Sequence, residues 1–296
     1  MDEILVMHND KIIDKVSDKV NKKKKYIFTS DYTSKEYVPY KNDKHTVQSI
    51  TKSILSLLVG IAIHNKDIKM SVLNEFIYKY FDDYVLDRRI KVVHLLTMTS
   101  GIDWNTDYDD KHNNTMAMEK SDDWIKYVLS RKMADVPGKV FHYKDCDTVL
   151  LGHVFEKCIK MPIDKYAKIN LWKKLKISDY WNKVNGKVDV EGGLYLSSKS
   201  LLKIGTLILN KGVYENKRLL SLKYYDMMIT NQVTNKHFGY GLSWWLHGDV
   251  VFGWGYKGQF IVIDTKNKAV GVLFQWNNKK MMQPYDFIQY IQKKIA

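Results

Sequence analysis

The order of hydrophobic and polar residues divides the chain into strand-like segments at both ends and helix-like segments between them. Near the start, ILVMHNDKIIDKV forms two alternating runs around Asn9-Asp10, which predicts a β-hairpin. From Phe238 onward, hydrophobic runs of strand length are separated by Gly, Asn and Asp residues, which predicts a series of strands. The last residues, QPYDFIQYIQKKIA, predict a closing helix.

A helix is predicted to begin near Ser49, in the stretch HTVQSITKSILSLLVGIAIHN. Its hydrophobic positions keep helical spacing, at Ile50, Ile54, Leu57, Leu58 and Ile61. Three small residues, Ser53, Ser56 and Gly60, form a second stripe that would let another element approach closely. We therefore expect this helix to be central and buried.

The residues from 66 to about 175 are mostly helical in pattern. VLNEFIYKYFDDYV is helix-like, KVVHLLTMTSG is a helix ended by Gly101, and CDTVLLGHVFEKCI is a helix capped by Asp145 or Asp147. The economical architecture is an α/β (α+β) fold, with an antiparallel sheet from both termini flanked by helices. We predict a sheet domain of residues 1–65 and 180–296, a helical insertion domain of residues 66–179, and an active site in the cleft between them.

Composition narrows the class of protein. The chain is 45% hydrophobic and 27% charged, which suits a globular protein with a sizeable core. The longest apolar candidate, Ile54–Ile63, is too short to span a membrane. The first residues are acidic and strand-like, unlike a signal peptide, and Cys146 and Cys158 are the only cysteines. These features predict a cytoplasmic protein without a membrane partner.

The net charge of +14 raises the question of nucleic-acid binding. The lysines are spread along the chain, and the one run, Lys22–Lys25, has the character of a solvated loop. No zinc-finger, RNA-recognition or KH motif accompanies it. We therefore predict no nucleic-acid partner.

Two Ser-x-x-Lys motifs carry possible chemistry: Ser49 with Lys52, and Ser200 with Lys203. Residues three apart share a helix face, so each lysine can reach its serine. A base beside a serine can activate the hydroxyl, and a helix N-terminus favours a developing oxyanion. The lysine of the second motif lies in an ordinary amphipathic helix, whereas the first motif opens an apolar helix. Burial of a lysine charge is costly unless the charge is paired, which suggests a functional role for a buried lysine. We therefore select Ser49 and Lys52 as the candidate catalytic pair.

Two further stretches accompany this motif. Tyr143 follows Pro137-Gly138 just before a helix, where its phenol can share the role of base. In FGWGYKGQFIVID, three glycines lead into a strand, which suggests a close approach of the backbone to another group. Each signal is weak alone.

Taken together, the motifs make the chain resemble the serine β-lactamase and penicillin-binding-protein superfamily. The resemblance is to its class C-like, esterase-like branch, the branch with 6-aminohexanoate-dimer hydrolase. The matching stretches run in family order across nearly the whole chain: SITKS, HLLTMTSGIDW, PGKVFHYKDCDTVLLGHVFEK, EGGLYLSSKSLLKIGTLILNKGVYENKRLLS and GYGLSWWL with FGWGYKGQFIVID.

The resemblance implies a role for each matching residue. Ser49 is the nucleophile, Lys52 the motif lysine and Tyr143 the motif tyrosine. The backbone N–H groups of Ser49 and Tyr256 form the oxyanion hole. The substrate-binding positions are Asp145, Trp104, Gly253, Trp254 and Gly255.

Two departures from the family pattern affect substrate recognition. Asp145 stands where the tyrosine motif has Asn, and Gly253 stands where the last motif has a cation that recognises a substrate carboxylate. Penicillins and peptidoglycan stems are therefore poor candidate substrates. Four aromatic residues are candidates to line an apolar pocket: Trp104, Tyr108, Trp245 and Trp254.

The implied activity is hydrolysis of a small ester, amide or peptide through an acyl-serine, with no metal or cofactor. Short-chain esters are the first choice of substrate, and amides or D-amino-acid peptides the second. The alternative from another class is an inactive binding or scaffold protein with this fold. The sequence does not predict the oligomeric state.

Overall fold

The computed structural model describes residues 2–17, 40–41, 44–107, 110–275 and 281–296. Three features of the sequence lie outside the described residues: YIFTS, residues 26–30, whose pattern suggests one more strand, the lysine run Lys22–Lys25, and Tyr108.

Sixteen strands occur in the described residues, several of them only two residues long. They are β1 (Asp2–His8), β2 (Lys11–Ser17), β3 (Tyr40–Lys41), β4 (Lys44–Thr46), β5 (Tyr180–Trp181), β6 (Lys183–Val184), β7 (Lys187–Val188), β8 (Leu194–Leu196), β9 (Val213–Tyr214), β10 (Lys217–Arg218), β11 (Val233–Thr234), β12 (Gly239–Tyr240), β13 (Trp245–His247), β14 (Val250–Gly255), β15 (Gln259–Asp264) and β16 (Ala269–Gln275).

Ten α-helices occur in the same residues. They are α1 (Ile50–Asn65), α2 (Val92–Leu96), α3 (Asn114–Glu119), α4 (Trp124–Leu129), α5 (Asp145–Ile159), α6 (Ile163–Ala167), α7 (Lys173–Leu175), α8 (Ser198–Leu209), α9 (Leu222–Ile229) and α10 (Pro284–Ile295). A π-helical stretch, Lys168–Trp172, joins α6 to α7.

The main sheet has eight antiparallel strands in the order β11-β12-β13-β14-β15-β16-β1-β2. The predicted mixed α/β fold with an antiparallel sheet drawn from both termini is confirmed. Strands β4 and β8 belong to a smaller sheet, in which His45 pairs with Leu196. The predicted domain boundaries stay a prediction.

Helices cover both faces of the main sheet. A Cβ on Gly205 of α8 would lie 2.3 Å from Val270 Cγ1, and a Cβ on Gly271 would lie 2.2 Å from Ile291 Cδ1 of α10. Because neighbouring residues of a strand point to opposite faces, α8 and α10 lie on opposite faces of the sheet. Gly253 lies against Ile50 and pairs with Ile261, which places the start of α1 on the α8 face.

The N-terminal hairpin follows the sequence pattern. Strands β1 and β2 pair antiparallel, and the linking residues Asn9 and Asp10 have φ of 46° and 62°. Two successive residues with positive φ are the signature of the tight turns that match the twist of a hairpin. The predicted hairpin is confirmed.

Helix α1 is buried along most of its length, as predicted. The Ser53 hydroxyl donates to the Ser243 carbonyl at 2.7 Å, and the Ser56 hydroxyl donates to the Leu242 carbonyl at 2.6 Å. A Cβ on Gly60 would lie 2.4 Å from the ring of Tyr224 in α9. The small-residue stripe is thus the surface where two other segments meet the central helix.

Two predictions in the middle of the chain are wrong. VLNEFIYKYFDDYV forms two 3₁₀ helices, Met70–Asn74 and Ile77–Tyr80, because Phe76 pairs with Lys91 in a β-bridge and the backbone there is extended. Gly101 does not end a helix, since α2 already ends at Leu96. Its φ of 80° and its close approach to the Asp135 carbonyl account for the glycine.

Candidate active site

A tight turn places Ser49 at the start of α1. Gln48 has φ of 51°, an uncommon value for a residue with a side chain. Ser49 occupies the N-cap position, yet its hydroxyl makes no capping bond to the described residues of the helix. The hydroxyl of the half-buried Ser49 is therefore available to other partners.

Lys52 is 1% exposed and lies beside Ser49. Its Nζ donates to Ser49 Oγ at 3.0 Å and to the Glu191 carbonyl at 2.7 Å. The same Nζ forms an ion pair with Asp145 Oδ1 at 2.7 Å. Three acceptors match the three N–H bonds of an ammonium group.

The charge of Lys52 follows from these neighbours. Burial alone would lower its pKa, but the negative charge of Asp145 has the opposite effect, aided by Tyr143 and Glu191, and the net pKa is raised. Lys52 is therefore an ammonium in the resting site.

Tyr143 lies near both Ser49 and Lys52. Ser49 is close enough to lower the pKa of the Tyr143 phenol, and Lys52 Nζ lies 5.7 Å from the centre of its ring. The ring stacks on Trp245 at 5.3 Å between centroids. Burial raises the pKa of Tyr143, an effect that the charge of Lys52 and the nearby Ser49 partly offset.

Asp145 is the first residue of α5, and the prediction that Asp145 or Asp147 caps this helix is wrong. The N-cap residue is Lys144, which makes no side-chain capping bond. One oxygen of Asp145 faces Lys52, and the other accepts the Thr115 hydroxyl at 2.6 Å. Because both oxygens of Asp145 have these partners, the carboxylate does not cap the N–H groups of the helix.

Trp104, predicted to bind substrate, is 1% exposed and lies behind Asp145. Its indole N–H donates to Thr115 Oγ1 at 3.1 Å, and Tyr127 packs edge-on against its ring. Trp104 therefore contacts the site through Thr115. Sequence reasoning missed Thr115, because one threonine in a polar loop gives no signal.

Glu191 is a second residue that sequence reasoning missed. Its carbonyl accepts from Lys52, while its carboxyl is buried, with Oε2 lacking a hydrogen-bond partner among the described residues. Burial, followed by the charges of Asp145, Glu119 and Asp189, raises the pKa of this carboxyl well above its usual value. The glycine pair that follows in EGGLYLS marks the tight segment that carries it.

A turn held by Asp189 fixes the Glu191 carbonyl. Asp189 Oδ1 accepts the backbone N–H groups of Glu191 at 3.1 Å and of Gly192 at 3.2 Å. The Val47 N–H donates to the Leu194 carbonyl at 2.9 Å, which joins this segment to the turn before Ser49.

The end of β14 packs against the same turn. A Cβ on Gly255 would lie 2.4 Å from the Val47 carbonyl oxygen and 3.0 Å from Gln48 Cβ. The glycines thus allow close approach of the chain before Ser49, and Tyr256 follows directly in an exposed turn. Trp254 points to the other face of the sheet, where its ring packs on Trp245 and Phe260.

Within the described ranges, no cluster of three or more His, Cys, Asp or Glu residues is arranged to hold a metal ion. No helix in those ranges is long and apolar enough to cross a membrane.

The antiparallel α/β fold and its helical segments place the structure among the β-lactamase and penicillin-binding-protein-like folds. The sequence profile named Beta-lactamase matches residues 25–291. The chain therefore belongs to the β-lactamase family of serine hydrolases.

Relatives of several activities share the fold. The chain is 23% identical over 267 residues to 6-aminohexanoate-dimer hydrolase of Paenarthrobacter ureafaciens, covering 79% of this chain and 67% of the relative. EstCE1, a hydrolase with promiscuous acyltransferase activity, superposes with a TM-score of 0.72 at 13% identity, covering 99% of this chain and 93% of EstCE1. A penicillin-binding protein of Bacillus halodurans gives a TM-score of 0.71 at 14% identity, covering 98% and 95%.

Proposed function

We propose that the protein hydrolyses a small ester or amide through an acyl intermediate on Ser49. The observation that carries this proposal is the 3.0 Å contact between Lys52 Nζ and Ser49 Oγ at the start of a buried helix. Tyr143, whose pKa is influenced by Ser49 and whose ring centre lies 5.7 Å from Lys52 Nζ, is the third member of the proposed site. A nucleophile within hydrogen-bond reach of its base, with a third group that orients them, is the arrangement that activates a serine.

The directions of the hydrogen bonds assign the proton. Lys52 uses its three N–H bonds on Ser49, Asp145 and the Glu191 carbonyl, so Ser49 Oγ accepts from Lys52. The serine proton is then directed to Tyr143, and the phenolate form of Tyr143 takes it as Ser49 attacks the substrate carbonyl. The positive charge of Lys52 stabilises the phenolate and the alkoxide without itself accepting a proton.

The rest of the cycle follows from the same groups. The backbone N–H groups of Ser49 and Tyr256 hold the oxyanion, and removal of one such donor costs about 3–4 kcal/mol. Tyr143 returns the proton to the leaving alcohol or amine as the acyl-serine forms. Water then attacks the acyl-serine, with Tyr143 again taking and returning one proton, and free Ser49 and a carboxylic acid result.

The substrate is expected to lack the carboxylate that penicillins present. Gly253 stands where the family carries a cation, and it lies against Ile50 and Ile261, where an added Cβ would be 3.3 Å from Ile50 Cγ2. The relatives include 6-aminohexanoate-dimer hydrolase and a hydrolase with promiscuous acyltransferase activity, which supports small acyl compounds, amides and esters, as the substrate class. Within it, we place short-chain esters first and D-amino-acid peptides or amides second.

Covalent labelling tests the proposal. We expect a fluorophosphonate probe to label the wild-type protein at Ser49, with the mass increase located by peptide mapping, and Ser49→Ala to stay unlabelled. A panel of p-nitrophenyl esters and anilides should then give turnover that Ser49→Ala lacks. A wild-type protein that is folded but neither labelled nor active would instead support the inactive binding or scaffold role.

A further inference from the structure

We propose that Thr115, held by Trp104, is a positioning residue that fixes Asp145 as the anion facing Lys52. The proposal rests on the proposed function and extends the site into α3. Thr115 belongs to none of the family motifs that the sequence shares, whereas Trp104 is the last residue of one of them, HLLTMTSGIDW.

The chemistry of the donors determines where the Thr115 proton lies. An indole nitrogen can only donate, so the 3.1 Å contact from Trp104 Nε1 makes Thr115 Oγ1 an acceptor. A hydroxyl carries one proton, and the remaining partner at 2.6 Å is Asp145 Oδ2. Thr115 therefore donates to Asp145. Thr115 is 1% exposed, so water does not offer a ready substitute.

This direction defines the charge of Asp145. Oδ2 accepts from Thr115, and Oδ1 lies 2.7 Å from the Lys52 ammonium. A protonated carboxyl would direct its own O–H at one of two donors, whereas a carboxylate accepts from both. Glu191 and Asp189 also lie near Lys52, and burial raises the pKa of each of these carboxyls, whereas Asp145 is the acid that contacts both Lys52 and Thr115 directly.

The same network accounts for the departure from the family asparagine. An asparagine at position 145 could take two orientations. In the first its NH₂ group would face the Lys52 ammonium, and in the second its NH₂ group would face Thr115. In the second case the Thr115 proton would lose its acceptor. The Trp104–Thr115 pair therefore matches an aspartate, and the aspartate keeps Lys52 charged, with its N–H aimed at Ser49.

Three variants test the role of Thr115. Thr115→Val keeps the shape and removes the hydroxyl, and we expect kcat for ester hydrolysis and the labelling rate to fall about 10- to 100-fold with KM unchanged. Thr115→Ser keeps the hydroxyl and should restore most of the rate. Trp104→Phe removes the indole N–H together with part of a buried ring, and it should cost a smaller, few-fold factor in kcat, because Thr115 can still donate.

Two outcomes would overturn the proposal. One is a Thr115→Val enzyme with wild-type kcat, and the other is a Thr115→Ser enzyme as slow as the valine variant, which would indicate packing alone. Wild-type protein without labelling would defeat the proposed function instead. In that case the urea unfolding midpoint tests the coupling between Thr115 and Asp145. Thr115→Val should lower the midpoint of the wild-type protein but leave the midpoint of the Asp145→Ala variant unchanged. Equal decreases in the two backgrounds would refute the coupling.

Discussion

The two Ser-x-x-Lys motifs have the same spacing and the same kind of secondary structure, yet the structure gives them different environments. Ser49 stands at the N-cap of α1, and its lysine points back to it across 3.0 Å. Ser200 lies inside the first turn of α8, where Ser197 caps the helix by accepting the Ser200 N–H at 3.1 Å. The Ser200 hydroxyl is occupied with Ser197 at 2.9 Å.

The lysines differ more than the serines. Lys203 is half-buried and donates to the carbonyls of Leu175 and Lys176, each at 2.9 Å. These carbonyls end α7, where a cation satisfies unpaired groups and complements the helix dipole. Lys52 instead faces a carboxylate and a serine. The motif thus supplies only the spacing, and segments distant in sequence determine whether the lysine contacts a helix end or the serine and a carboxylate.

Serine substitution gives the largest expected contrast between the motifs. Ser49→Ala should lower kcat for p-nitrophenyl ester hydrolysis by at least about 10⁴-fold, since the acyl intermediate has no other site. Ser200→Ala should retain turnover, because within the described part of the chain its hydroxyl bonds to Ser197 and to no group of the proposed site. Initial rates on purified, folded variants measure both. Residual turnover in Ser49→Ala above the reagent blank would point to a different nucleophile.

Lysine substitution should separate the motifs in both activity and stability. We expect Lys52→Ala to abolish measurable ester turnover and to lower the free energy of unfolding by about 3–5 kcal/mol, because Asp145 is left as a buried, unpaired charge. Lys203→Ala should keep the wild-type kcat. Steady-state kinetics and urea unfolding report the two effects. Full activity in Lys52→Ala would reject the assignment of this motif.

A pH profile tests which group is the base. The pKa of Tyr143 is raised, chiefly by burial, so at neutral pH the phenol holds its proton. A base must be deprotonated, and kcat/KM should therefore rise with pH from 7 to 10 by up to about tenfold per unit. Tyr143→Phe should be about 10²- to 10⁴-fold slower and lose this rise.

The blank for this profile is Ser49→Ala, which measures hydrolysis by hydroxide alone. A wild-type profile that is flat from pH 7 to 10 would argue against Tyr143 as the group that gains the proton. Lys52 is no alternative over this range, because Asp145, Tyr143 and Glu191 together raise its pKa despite burial.

Much of the first motif could be predicted from the sequence, because the information is local. Helical spacing placed the start of α1 near Ser49, and the apolar surroundings of Lys52 marked it as buried. The Asn9-Asp10 turn was equally local. These features depend on backbone geometry and burial, which periodicity reports directly.

The residues that surround the first motif could not be predicted from the sequence, because each acts through contacts between segments distant in the chain. The position of Asp145 suggested a helix cap. Its two oxygens instead contact Lys52 and Thr115, which are distant in the chain. Glu191 acts on Lys52 through a carbonyl, which any residue possesses. Trp104 matched a pocket lining by type, but the only polar group of its ring is directed to Thr115.

Loss of the Lys203 ammonium is expected to have the smallest effect on stability, and it tests the contrast between the two lysines. Lys203→Met keeps much of the aliphatic length but removes the donor to the Leu175 and Lys176 carbonyls. Because the site is partly exposed and water can replace the ammonium, the loss of unfolding free energy should be about 1 kcal/mol. Urea unfolding at equal m-value measures it, with Lys199→Met on the exposed side of α8 as the matched control. A loss as large as that of Lys52→Ala would mean that the second lysine also neutralises a buried charge, and the contrast between the two motifs would fail.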